Sequence, residues 1–158
     1  MLAEINEQTV VNASRQFWEQ MLQMSVAAVA PSEETTLSAG HMAGVVALSG
    51  VWRGSIEVRM AISLAYEATA AMLMQQVDSV VEADALDATK EIANMIAGVI
   101  KSSLPRPCTM TVPESEIVAE AFSKGSNCAN CLDVCLRHDS GEFYVRVRQQ
   151  ECASAPTG

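Results

Sequence analysis

Ser55-Ile56-Glu57-Val58-Arg59-Met60-Ala61-Ile62, residues 55–62, alternates cleanly. Ile56, Val58, Met60 and Ile62 point one way and Ser55, Glu57 and Arg59 the other, which is the period of a strand with one buried face. Before it, residues 43–52 are rich in Val and Ala and apolar on both faces, and Gly50 and Gly54 bracket the turn between. The two segments read as a β-hairpin with one strand in the interior of a sheet. A second hairpin closes the chain. Leu132, Val134 and Leu136 alternate with Asp133, Cys135 and Arg137; after the turn Asp139-Ser140-Gly141, Phe143, Val145 and Val147 alternate with Tyr144, Arg146 and Arg148.

Helical patterns surround the hairpins. Val10, Ala13, Phe17, Met21, Met24 and Ala28 recur at spacings of three and four, predicting a helix over 8–29 that Pro31 and the polar run 32–36 end. Ser63 is placed to cap a helix over 64–77, with Ala68, Ala71, Met72 and Met74 as packing surface. A long helix over 84–104 is stopped by Pro105 and Pro107, and a strand over 108–112 follows. Residues 113–129 carry no readable period beyond a loop at Gly125-Ser126-Asn127, and 151–158 reads as a frayed tail after a single domain over 1–150. Helix, hairpin, helix is followed by helix, strand, hairpin. The expectation is an α+β domain in two pseudo-repeated halves, with helices packed on antiparallel strands. No glycine-rich phosphate loop follows a strand.

Composition narrows the function. The chain has 158 residues, a net charge of −9 and no Lys/Arg cluster, which disfavours nucleic acid and an anionic membrane surface. No apolar run reaches the length of a membrane span, and the N-terminus is acidic where a secretory signal is basic, so the expected location is cytoplasmic. Five cysteines, an odd number, fit a reducing compartment. Charged residues are only 18%, consistent with surface covered by a partner or a second subunit.

The 84–104 helix carries the candidate chemistry. At 3.6 residues per turn Asp87, Glu91, Asn94, Gly98 and Lys101 fall on one stripe, while Ala85, Ile92, Met95, Ile96, Val99 and Ile100 cover the opposite side. Glu91 and Asn94, three apart, point the same way. Glycine inside a helix costs about 1 kcal/mol relative to alanine and Asn is a poor helix former, so something other than helix stability set this stripe. Gly98 would let another backbone approach beside Asn94.

Glu91-Ile92-Ala93-Asn94-Met95-Ile96-Ala97-Gly98, followed by Lys101, Leu104 and a proline, resembles the signature helix of the CheX/CheC family of chemotaxis phosphatases. The first helix and the hairpin with its paired glycines sit where that family has them. CheX-like members carry one Glu-x-x-Asn motif and CheC-like members typically two; here Glu19 is followed by Leu22 at the third position, which points to the CheX side. Val99 stands where many CheX-like sequences have Asn. The resemblance implies a CheC-like fold and hydrolysis of the aspartyl phosphate of a CheY-like response regulator. Asn94 would position the attacking water and Glu91 would pair with the partner's lysine. Asp87, Gly98 and Lys101 would help docking. It also implies Mg²⁺ held by the partner, no metal or cofactor on this chain, and a homodimer formed through strands. The alternative is a non-catalytic module of the same fold that binds a response regulator or another signalling protein.

Other constellations read as structural. Cys128-Ala129-Asn130-Cys131 with Cys135 lacks the second ligand pair of a structural zinc site, so these are expected as free loop and strand thiols. His41 and His138 are expected at the surface, the first in a loop. Trp18 and Trp52 are expected in the core or an interface, and Arg146 and Arg148 on a solvated strand face.

Overall fold

The structure, a computed structural model, describes residues 5–150; the expected tail at 151–158 lies outside the described residues. From the N-terminus the elements are α1 (Glu7–Arg15), a π-helical stretch (Gln16–Met21), β1 (Ala27–Ala28), β2 (His41–Gly50), β3 (Gly54–Met60), α2 (Ile62–Leu73), α3 (Glu82–Lys101), β4 (Cys108–Met110), β5 (Glu114–Val118), β6 (Cys131–His138) and β7 (Gly141–Gln149).

Both expected hairpins form, and they lie side by side: the sheet order is β1-β6-β7-β3-β2-β4, with β5 also on β2. β3 and β7 pair antiparallel at the centre, Val58 opposite Val145. Each half runs helix, short strand, hairpin, and each short strand crosses to the other half. β1 pairs with β6, and β4 and β5 pair with β2. The two halves therefore complete one another's sheet, and neither closes its hairpin edge alone.

The helices cover one face. Val10, Phe17, Trp18, Ile92, Ile96 and Ile100 meet Val46, Ile56, Val58, Val145 and Val147 in one core. Trp18 and Trp52 are buried there as expected. The first helix is shorter than its periodicity suggests. After Arg15 the bonding switches to i→i+5, as in Leu22 N–H to Phe17 O at 3.3 Å, and Gln23 takes a left-handed φ of 56°. The wider turn shifts the phase of the stripe, so Trp18 is buried and Met21 is 58% exposed. The Glu19 carboxylate accepts the Val26 N–H and holds the chain in its new direction. Ser63 is not the cap of α2: Ala61 takes that position, and the Ser63 hydroxyl donates to Ser140 O. Met74 closes α2 in the left-handed region and is exposed, and Ala71 lies on the exposed side of the helix, so neither is the packing surface expected of it. β5 carried no apolar alternation because it is a sheet edge with Glu114 and Glu116 exposed, a charged margin that discourages further pairing.

The opposite sheet face is also covered, against expectation. Val29, Leu37 and Phe122, from two loop segments, bury Cys135 and Tyr144. Arg146, expected on a solvated face, is 2% exposed and makes a bidentate pair with Asp133 at 2.8 and 2.9 Å. Its guanidinium lies 4.7 Å from the centre of the Phe122 ring. Arg148, on the same strand, is exposed as expected. His41 is the first residue of β2 and is 2% exposed, not a surface loop residue.

The His41 ring is neutral by construction: Nδ1–H donates to Ser38 O at 2.9 Å, and Nε2 faces Arg59 Nη1 at 3.1 Å, where it must accept. Burial first, and then the Arg59 charge, hold its pKa below the ordinary value of 6.5. Glu57, 3.3 Å from Arg59, and the Phe122 ring complete its surroundings. Below pH ~6.5 the unfolded chain takes up a proton at His41 that the folded chain resists, so this contribution to stability is complete above that pH and falls away below it. Urea midpoints at pH 5 and 7.5 should therefore differ more for the wild type than for His41→Gln; equal differences would contradict this assignment.

Candidate functional site

α3 is built for its place. Glu82 and Asp84 lie in its first turn and Lys101 in its last, each favourable against the helix dipole. Its inner face is Ala85, Ala88, Thr89, Ile92, Ala93, Ile96, Ala97 and Ile100, all buried. Met95 and Val99 are partly buried against the same core. The small residues let the helix lie low on β2. A Cβ on Gly44 would stand 2.6 Å from Thr89 O and 3.1 Å from the Ala93 Cβ. Any side chain at 44 would lift α3 and displace its outer face. Gly44 is thus a positioning residue that the sequence reading passed over, its one signal being a glycine inside a Val/Ala-rich strand. The Ser115 hydroxyl donates to Leu86 O at 2.7 Å and ties β5 to the same helix.

The expected stripe is on the outer face. Asp87, Glu91 and Gly98 are exposed, and Asn94 and Lys101 are partly exposed. Asp87 lies 3.7 Å from Lys90 on its own helix, so its charge is partly answered there. Among the described residues, neither Glu91 nor Asn94 has a hydrogen-bond or ion-pair partner. A Cβ built on Gly98 would meet no atom within 4 Å. The stripe is therefore a carboxylate, an amide and a bare stretch of backbone on an open helix. A cavity of about 480 Å³ lined by Ser38, His41, Ser63 and Glu142 includes no residue of α3. No group of three or more His, Cys, Asp or Glu among the described residues is disposed to hold a metal ion. No helix among them is long and apolar enough to cross a membrane.

The thiols differ from expectation. Cys128 and Cys131 are bonded to one another, since the turn brings their Cα atoms to 5.8 Å, within disulfide range. Cys108 and Cys135 are free and buried. Burial pushes the Cys135 thiol up to about 11.

An amide and a carboxylate on an open helix offer neither a pocket nor an activated nucleophile. The class the fold defines is an α+β protein with helices on one antiparallel sheet, and it carries this stripe on an open helix face. A family model described as chemotaxis phosphatase CheX matches residues 42–120, half of the 158-residue chain and all of α3, and the chain belongs to this family. The fold is that of CheX from Vibrio vulnificus, with a TM-score of 0.74 at 16% identity over 95% of this chain and 100% of that one. It is also that of CheX from Borrelia burgdorferi, solved as a CheX–CheY–BeF₃–Mg²⁺ complex, with a TM-score of 0.68 at 20% identity over 94% and 99%. FliY from Thermotoga maritima is more distant, at a TM-score of 0.60 and 13% identity over 88% and 84%. No curated protein sequence matches the chain.

Proposed function

We propose that this protein is a phosphatase of a CheY-like response regulator, with Asn94 and Glu91 entering the regulator's phosphorylated site. The observation that carries the reading is that, among the described residues, neither side chain has a partner on the open face of α3, within the span that matches the family. A relative of the same fold has been solved with CheY, BeF₃ and Mg²⁺, which agrees with a regulator as partner. In this reading the regulator supplies the aspartyl phosphate, the Mg²⁺ and a lysine. The chain supplies position. The neutral Asn94 amide both donates and accepts hydrogen bonds, so it holds a water in line with phosphorus without adding negative charge. Glu91 pairs with the regulator's lysine and sets the depth and angle of docking, a contact worth about 0–1 kcal/mol if exposed and more once the interface excludes water. Lys101 and Asp87 flank the contact. A second copy of the chain, joined through strands, completes the family pattern.

Gly98 separates docking from folding. Gly98→Ala should raise the stability of the free protein by about 0.5–1 kcal/mol, because the new methyl meets nothing in this chain and alanine favours the helix. The same methyl should weaken regulator binding by roughly tenfold, or ~1.4 kcal/mol, where the partner's backbone comes close. Thermal unfolding and titration of the regulator measure the two effects, and unchanged binding would remove Gly98 from the docking surface.

The reading is tested by following loss of phosphoryl label from a panel of phosphorylated regulators with the wild-type chain and Asn94→Ala. Acceleration lost in the variant, with binding kept, supports it. Binding without acceleration for every regulator would make the chain a docking module instead.

A further inference from the structure

The C-x-x-C unit plays no part in the surface on α3. Cys128 and Cys131 are joined across a four-residue turn, both are half-buried, and Ala129 and Asn130 between them are exposed. The bond therefore lies at the surface of the protein and not in its core. The other described cysteines contrast with it. Cys108 is buried with its thiol 3.7 Å from Trp52 O, and Cys135 is buried in the second apolar cluster.

The two sulfurs are not equivalent. Cys131 opens β6 directly opposite Arg148 of β7, and directly opposed residues carry their side chains on one face with Cβ atoms about 4.5–5.5 Å apart. Arg148 is exposed and has no ion-pair partner among the described residues, so its charge is available to a thiolate at Cys131. Cys128 sits in the loop and has no such neighbour in the strand pairing. The neighbouring carboxylate, Asp133, is already paired with Arg146.

The bond also closes the end of a covering segment. Residues 119–130 cross the back of the sheet, where Phe122 is buried, Lys124 Nζ lies 3.2 Å from Glu34, and Gly125 N–H donates to Asp133 Oδ2 at 2.7 Å. Cys131 is the point at which this segment joins β6.

We infer that Cys128–Cys131 is a thiol–disulfide exchange site for a dithiol reductant, and that its redox state sets how firmly residues 119–130 are held on the sheet. The step balances as two-electron exchange. One thiolate of the reductant attacks Sγ of Cys128, the protein S–S bond breaks, and Cys131 leaves as the thiolate on the side of Arg148, whose positive charge favours that leaving group. The reductant's second thiol then attacks its own sulfur in the mixed disulfide. Cys128 leaves and takes up a proton, and the reductant departs as a cyclic disulfide. The protein is reduced by two electrons and the dithiol oxidised by two.

The test is alkylation of the native protein with a neutral thiol reagent, mapped by peptide mass, before and after incubation with dithiothreitol. Cys152, outside the described residues, is read on its own peptide. Without reductant neither Cys128 nor Cys131 should label. After it, both should label at least about 100-fold faster than Cys108 and Cys135, whose sulfurs are shielded. Cys131 should lead at pH 7, and Arg148→Gln should abolish that lead. Hydrogen exchange should then show amides of 119–130 opening at least about tenfold more readily in the reduced protein, with α3 unchanged. The exchange site is refuted by equal labelling of the pair with and without dithiothreitol, or by no labelling after it. Exchange of 119–130 that is the same in both states refutes the hold on the segment, and a Cys131 lead that survives Arg148→Gln refutes the role of Arg148.

Discussion

Asn94→Ala should leave the fold intact and lower the acceleration of regulator dephosphorylation by at least about a hundredfold, the loss that follows when a reacting group is misplaced by an ångström or so. Stability should hold because the Asn94 side chain has no partner within the described residues to lose, and alanine is the better helix former. Binding should change little, since one amide–water contact is removed and Glu91 keeps its lysine. The informative comparison is Asn94→Asp, which keeps size and places a negative charge beside a phosphoryl group. In the proposed reading it fails as completely as alanine. Single-turnover decay of the phosphorylated regulator at saturating enzyme, together with a thermal melt, measures both halves. A variant that retains more than about a third of the acceleration would show that another group orients the water, since removing a true positioning group costs far more.

Asp133→Ala should destabilise the protein by about 3–5 kcal/mol, the cost of leaving a buried charge without its partner. The two side chains are 2% and 3% exposed, so the Arg146 guanidinium has no route to solvent that keeps the sheet closed. The same change frees the Gly125 N–H, which Asp133 Oδ2 now accepts. Replacing both partners, as in Asp133→Leu with Arg146→Met, should recover much of the loss, because apolar groups of similar size need no partner. Urea unfolding of the single and double variants tests this. A loss under about 1 kcal/mol for Asp133→Ala would mean the pair is solvated in solution, as an exposed ion pair of that worth would be.

The contrast between these two predictions shows where the sequence could be read. Asn94 was legible because α3 is amphipathic over twenty residues, and its outer stripe follows from the inner one by geometry alone. Asp133 and Arg146 were legible as strand residues but not as a pair. Alternation says that the residues facing away from Val134 and Val145 share a face, yet nothing local says whether that face meets water. The cover comes from segments around 29–37 and 118–127, far along the chain and without a period of their own. The Cys128–Cys131 bond was missed, the pair being expected as free thiols, for the same reason: spacing does not decide it, and only the turn brings the two Cα atoms together.

By itself, then, the sequence determined both hairpins, the long helix with Glu91 and Asn94 on its outer stripe, and the family that stripe resembles. Each of these is written in a short-range period or a contiguous motif. The tertiary structure decided the rest. It interlocked the halves by sending β1 to β6 and β4 and β5 to β2. It set α3 down on Gly44, buried His41 and Arg146, and left Asn94 without a partner among the described residues. Those outcomes depend on which distant segments meet, because burial and pairing are properties of a contact between two surfaces, and a local pattern specifies only one of them.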